Sequence, residues 1–318
     1  VNVRQALVIS CALCGALLTS AVPKALAQEV VQDEGFYYRA FHEASQANDT
    51  AKAMEAAKAY LEKFPTGQYA EFIKKWQETA AMTALDSAIK EKRTADMIKA
   101  GEAILAKDPE NLNVVYALAF NIRRNELLAS PPVTDNAAKA VEYAKKGIAL
   151  IESGKTLTGV ANFDKDGTLA WMTQILALNE ARGGSPAEAI ALYEKSSAYA
   201  PNDAPLVARN LLGILSERQS KYGEAAKAYN ALPEADRGAA EPTPEVKAAK
   251  ATLDQEADAL IDAAAGFVAF GRAKGLAPAT VDRVNQLLET VYKNRFPEDT
   301  ALDGLKKKLA EKAAPPPA

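Results

Sequence analysis

The sequence predicts an all-α fold built from stacked helical hairpins, and three observations predict it. Aromatic residues are 7% of the chain and alanine is abundant, a composition suited to closely packed helices. Apolar residues recur at helical spacing in segment after segment, bracketed by capping residues and by Gly or Pro. Nothing reads as a strand. At 318 residues and 48% hydrophobic, the chain is long enough for one elongated or two compact domains.

The first 27 residues are expected to lie outside the fold. Arg4 supplies a positive start, Ala6 to Ala21 is apolar apart from small polar residues, and Ala25-Leu26-Ala27 has the small-x-small form of a signal-peptidase site. The apolar run is short for a membrane span and is followed by Pro23 and Lys24, so the reading is a cleaved signal peptide and a periplasmic or secreted product. Both cysteines, Cys11 and Cys14, fall inside it. Only about five apolar residues precede Cys11, too few for a lipoprotein signal, so lipidation is not expected. Cleavage would remove Arg4 and Lys24 and leave 36 basic against 41 acidic residues, with no cysteine.

Residues 28–232 read as about five helical hairpins. Glu34 to Ala47 pairs with Thr50 to Phe64, Gln68 to Lys92 with Thr94 to Lys107, and Leu112 to Leu128 with Asn136 to Glu152. The plainest unit follows: Leu169 to Arg182, ended by Gly183-Gly184, then "SPAEAIALYEKSSAYAPND" from Ser185 to Asp203. Ser185 is expected to cap this second helix, with Pro186 at its first position and the Glu188 carboxylate reaching back. Ala189, Ile190, Tyr193, Ser197 and Ala200 form one small apolar face. A two- or three-residue turn forces the two helices antiparallel. Leu206 to Gln219 and Tyr222 to Leu232 are expected to repeat the hairpin, since "EAAKAY" from Glu224 echoes "EAIALY" from Glu188 at an offset of 36 residues.

Here the sequence resembles the tetratricopeptide repeat. Leu212-Gly213, Ala225 and Tyr229 match its signature, as do Leu176, Ala189, Tyr193 and Pro201 in the preceding unit, while the signature Trp and first-helix Tyr are missing from both. Pro65 and Pro109 lie 44 residues apart, beyond the family period. The resemblance implies a right-handed α-solenoid whose concave face binds a peptide. Beyond it, residues 233–245 read as a linker or long loop. Residues 246–312 read as a C-terminal hairpin and capping helix, and residues 313–318 as a disordered tail.

Composition narrows the chemistry. With one histidine, His42, and no cysteine after residue 27, zinc sites and Ser-His-Asp catalysis are not expected. "NFDKDGT" from Asn162 resembles half of an EF-hand loop, but Thr173 stands where the bidentate Glu belongs, so it reads as a capped turn entering the next helix. No metal, cofactor or catalytic residue is expected. The net charge of −3 gives no general pull toward nucleic acid, and no stable membrane insertion is expected after cleavage.

The family register places a set of first-helix residues on the concave face. They are Tyr69, Phe72 and Trp76; then Tyr116, Phe120, Arg123 and Arg124; then Trp171, Gln174 and Arg182; then Asn210 and Arg218. Aromatics beside arginines and amides are what a peptide-binding groove uses. The expected function is therefore an exported scaffold, not an enzyme, that binds a protein or peptide partner; self-association is a further mode such repeats allow. The alternative is a helical-repeat hydrolase acting on cell-wall glycan through paired carboxylates.

Overall fold

A computed structural model describes residues 33–313, and these hold helices and turns with no strand. The expected leader, including the cleavage position after Ala27, lies outside the described residues, as does the tail from residue 314 onward. The chain divides into two compact units, one reaching to Gln77 and one starting at Glu78.

In the first unit, α1 (Glu34–Gln46) starts behind Asp33, whose carboxylate accepts the Phe36 N–H at 2.8 Å. Helix α2 (Thr50–Lys63) starts behind Asp49, which accepts the Lys52 N–H at 3.1 Å. Asn48 turns the chain between them in a left-handed conformation (φ 56°), which an asparagine adopts more readily than other side chains. Ala44, Ala53 and Ala57 let the two helices close around Phe41 and Tyr60. The first turns of α3 (Ala70–Lys90) complete this core with Ala70 and Ile73.

The second unit takes up the rest of α3 and continues through α4 (Thr94–Leu105), α5 (Leu112–Ile122), α6 (Ala137–Glu152), α7 (Lys165–Gly183) and α8 (Pro186–Tyr199). Each of α4 to α8 packs on its successor in the chain, and α8 packs on α9 (Ala204–Asn230). After the short α10 (Glu234–Arg237), α11 (Pro244–Lys274) lies along α9, and both α12 (Pro278–Arg295) and α13 (Asp303–Ala313) pack on α11. A continuous core runs from Leu85 of α3 through Leu118, Ile122, Ala144, Ile151 and Met172 to Leu206 of α9. A second core joins α9 to α11, α12 and α13 around Leu260, Phe267 and Leu288.

Several expectations need correction. Residues 206–230 are not two helices but lie in one helix of 27 residues, α9. A lone Gly223 costs about 1 kcal/mol within a helix, too little to break one that packs against the long α11. The expected linker at 233–245 contains α10. The capping box at Ser185 is half formed: Ser185 Oγ accepts the Glu188 N–H at 3.4 Å, but the carboxylate that accepts the Ser185 N–H is that of Glu180, at 3.2 Å. Glu180 is supplied by the last turn of α7, which the tight turn folds back onto the cap. The Asn162 loop is a capped turn: Asp164 accepts the Gly167 N–H at 2.9 Å and α7 begins at Lys165. No group of acidic or His residues placed to hold a metal occurs among the described residues.

Candidate binding surface

Helix α5 does not run on as an α-helix to Leu128 as its periodicity suggests. Its last turn, Arg123–Leu127, is π-helical, and the Leu128 N–H reaches back to the Arg123 carbonyl at 3.0 Å. Such widened turns are frequent at functional sites. This one concentrates polar chemistry, because Arg123 and Glu126 are both buried within it.

Arg123 is 8% exposed. Its guanidinium donates from Nε (3.1 Å) and from Nη2 to the side-chain oxygen of Gln174 on α7. Gln174 in turn donates to Asn210 Oδ1 on α9. Asn210 donates to Ser196 Oγ (2.9 Å) and Ser197 Oγ (3.1 Å) on α8, and Ser196 closes the chain on the Ala170 carbonyl at 2.7 Å. Gln174, Asn210 and Ser196 are fully buried, and each has the partners that burial demands. The relay ends at Arg123 with a cation that has no carboxylate within ion-pair distance among the described residues. Burial, followed by the nearby charge of Arg209, lowers the Arg123 pKa to about 10, against an opposing contribution from Asp203. It remains a cation at neutral pH.

Three aromatic rings cluster where α5 meets α7. Tyr116 and Phe120 stack on α5 (5.8 Å between centroids), and Trp171 of α7 meets both edge-on at 5.2 and 5.5 Å. Exposed Arg124 lies over the Phe120 ring at 5.7 Å and donates to Asn121 Oδ1 at 3.0 Å. Arg182 donates to the Leu127 carbonyl at 3.0 Å, tying the end of α7 to the π turn.

The twelve expected groove residues therefore separate. Arg123, Arg124, Tyr116, Phe120, Trp171 and Arg182 gather around the π turn. Gln174 and Asn210 join them from behind: with no exposed surface, they position Arg123 and cannot touch a partner. Trp171 is also buried in the core, at 8% exposure. Arg218 lies eight residues, roughly 12 Å, beyond Asn210 on α9 and shares no hydrogen bond or ring contact with the set. Tyr69, Phe72 and Trp76 belong to the first unit. There Tyr69 stacks on Tyr38 at 3.7 Å, while Trp76 and the 57%-exposed Phe72 meet Phe41 edge-on.

Sequence reasoning missed Arg209, Ser196 and Glu126. Arg209 adjoins Asn210, and the register that put Asn210 on the concave face carried no signal for the arginine beside it. Glu126 accepts a hydrogen bond from Asn136 Nδ2 at 2.9 Å through one oxygen, and its other oxygen is buried without a partner. No family model matches the chain, and neither does any curated protein or solved structure. Among the described residues no helix is long and apolar enough to cross a membrane.

Proposed function

We propose that the chain is an exported, tetratricopeptide-like solenoid scaffold, right-handed as in that family, which binds a protein partner by an acidic segment laid against the Arg123 face. The observation that carries the reading is the buried Arg123 cation, held by an amide instead of a carboxylate. Withdrawing a guanidinium from water costs several kcal/mol, and its hydrogen bonds to a neutral amide offset only part of that. An incoming carboxylate would offset the rest. Arg124, Arg182 and Arg209 extend the cationic surface on a chain of net charge −3, so recognition rests on a local field instead of overall attraction. The stacked Tyr116 and Phe120 rings, both half-buried, supply apolar contact next to it.

The test is capture of a partner from periplasmic extract on the immobilised mature chain, alongside an Arg124→Glu/Arg209→Glu variant. Neither side chain is in the buried core, so reversal leaves helical content unchanged and is expected to abolish capture, which should also weaken as salt rises. Equal capture by the variant would remove this face from the site.

A further inference from the structure

The connection from α9 to α11 carries the charge that the Arg123 face lacks. Between Pro233 and Glu245 stand four acids, Glu234, Asp236, Glu241 and Glu245, and one base, Arg237. That base is turned back onto its own helix. Its Nε donates to the Leu232 carbonyl at 3.0 Å, its Nη1 donates to Asn230 Oδ1 at 3.3 Å, and the guanidinium lies over the Tyr229 ring at 5.6 Å. None of the four acids has an ion pair or a side-chain hydrogen bond among the described residues, and Glu234, Glu241 and Glu245 are exposed. The face is the opposite case: Arg124 and Arg209 are exposed and neither has a carboxylate within ion-pair distance among the described residues.

One copy of the chain cannot bring these two surfaces together, although both belong to the second unit. Arg209 stands in the second turn of α9 and Asn230 ends that helix, 21 residues on and so about 32 Å along the axis. The connection is tethered at both its termini, to the end of α9 and to the start of α11, which lies along α9. Glu234 is four residues from Asn230 and Glu241 three from Pro244, a reach of at most about 14 Å even when fully extended. The rod of α9 holds anion and cation apart.

We propose that the acidic segment taken by the Arg123 face is the 234–245 connection of a second copy, in a two-fold dimer. The inference rests on the partner-binding reading and names its occupant. Each copy carries one cationic and one anionic surface about 30 Å apart on the same helix. Two copies with their α9 helices antiparallel therefore seat both acidic segments on both faces at once, as a closed two-fold contact requires. A head-to-tail arrangement would leave one surface of each kind unpaired at the ends of a growing fibre. Pro242 and Pro244 restrict the acidic segment before it docks, which lowers the entropy lost on binding. Its alanines, Ala239 and Ala240, are exposed and offer apolar contact to the Phe120 ring that lies under Arg124. Each copy has a net charge of −3, so the complementary patches act at contact against a weak long-range repulsion.

The experiment is sedimentation velocity of the mature chain from about 1 to 200 μM in about 50 mM salt, repeated at about 0.5 M. A discrete monomer–dimer equilibrium is expected, weakened about tenfold or more at the higher salt. Glu234→Lys/Glu241→Lys reverses the acidic segment and Arg124→Glu/Arg209→Glu reverses the face. Each variant alone should be monomeric with unchanged helical ellipticity. Mixed in equal amounts they should form a one-to-one dimer, because both contacts then join opposite charges again. Should a reversal unfold the chain, the neutral pair Glu234→Gln/Glu241→Gln, also expected to weaken the dimer, still decides. A chain monomeric at about 200 μM, a dimer indifferent to either reversal, reversed variants that fail to pair, or growth past the dimer each overturns the inference. The two readings fail separately. Capture of a different protein by a monomeric chain, dependent on Arg124 and Arg209 but not on Glu234 and Glu241, would overturn the dimer and keep the face.

Discussion

Arg123 and Gln174, 51 residues apart, share one acceptor: both Nε and Nη2 of the arginine donate to Oε1 of the amide. Because Gln174 accepts with its oxygen, its nitrogen must donate onward, and Asn210 and Ser196 repeat the same polarity to the Ala170 carbonyl. Four helices, α5, α7, α9 and α8, are thereby registered by one directional chain. A satisfied network of this kind favours one arrangement, because any slip leaves a buried donor facing a donor. It also fixes the one cation whose missing counter-ion the proposed partner supplies.

Gln174→Leu strands that cation and also leaves Asn210 with an unused acceptor. A loss of about 2–3 kcal/mol of folding stability is expected in urea titration. Adding Arg123→Met should recover part of the loss, because an apolar pair of similar shape removes the uncompensated charge. A double variant no more stable than Gln174→Leu alone would show that the amide acts by packing.

Trp171 touches both Tyr116 and Phe120 and is buried among core residues of α5 and α7. Trp171→Ala is therefore expected to cost roughly 3–5 kcal/mol of stability in a circular-dichroism melt. A melt near that of the wild type, with partner capture lost, would make the ring an anchor at the surface instead.

The helices were legible where local chemistry decides them. Ser185, Pro186 and the Gly183-Gly184 pair mark helix ends with their own side chains and backbone, and Ala189, Ile190 and Tyr193 are buried as their spacing requires. The π turn was not legible, since the pattern from Leu112 to Leu128 is compatible with a plain α-helix. What ties down this turn is remote or tertiary: Arg182 on the Leu127 carbonyl and the Val133 N–H on the Glu126 carbonyl. For the same reason the register brought Arg123, Gln174 and Asn210 to one side but said nothing of their bonding to each other. Glu188 looked like the capping carboxylate because sequence patterns count along one helix, and Glu180 comes from the helix before.

Glu102 of α4 accepts hydrogen bonds from Lys139 and, at 3.0 Å, from Tyr143, both on α6. The Lys139 bond holds its carboxyl below the usual range, against a smaller opposing effect of burial and with help from Tyr143. A depressed carboxylate contributes stability that is present above its unfolded pKa and lost as pH falls through the folded one. Wild type is thus expected to lose a small increment below about pH 4.5 that Glu102→Gln never had. Solvent screens the half-exposed pair. Urea titrations of both proteins from neutral pH down to about pH 3 should converge; a gap that persists in acid would assign the effect to packing.

The continuity of α9 separates two architectures for residues 204–230. If Ser220 to Gly223 formed the turn of a hairpin, a proline at Lys221 would sit near the start of a second helix, where it is tolerated. In one unbroken helix the same proline removes an internal hydrogen bond and clashes with the preceding turn, at about 3 kcal/mol or more. Lys221→Pro is therefore expected to lower the melting temperature markedly and to reduce helical ellipticity. Gly223 gives the complementary test, because no heavy atom lies within 4 Å of where its Cβ would stand and its backbone is not left-handed. Gly223→Ala should stabilise the protein by about 0.5–1 kcal/mol by restricting the unfolded chain. In a hairpin turn that needed glycine's freedom, the alanine would destabilise. A tolerated Lys221→Pro together with a destabilising Gly223→Ala would restore the two-helix reading, and with it the 36-residue period between Ala189 and Ala225. The opposite pair of results fixes α9 as the long helix that carries Asn210 at one end and packs on α11 along its length.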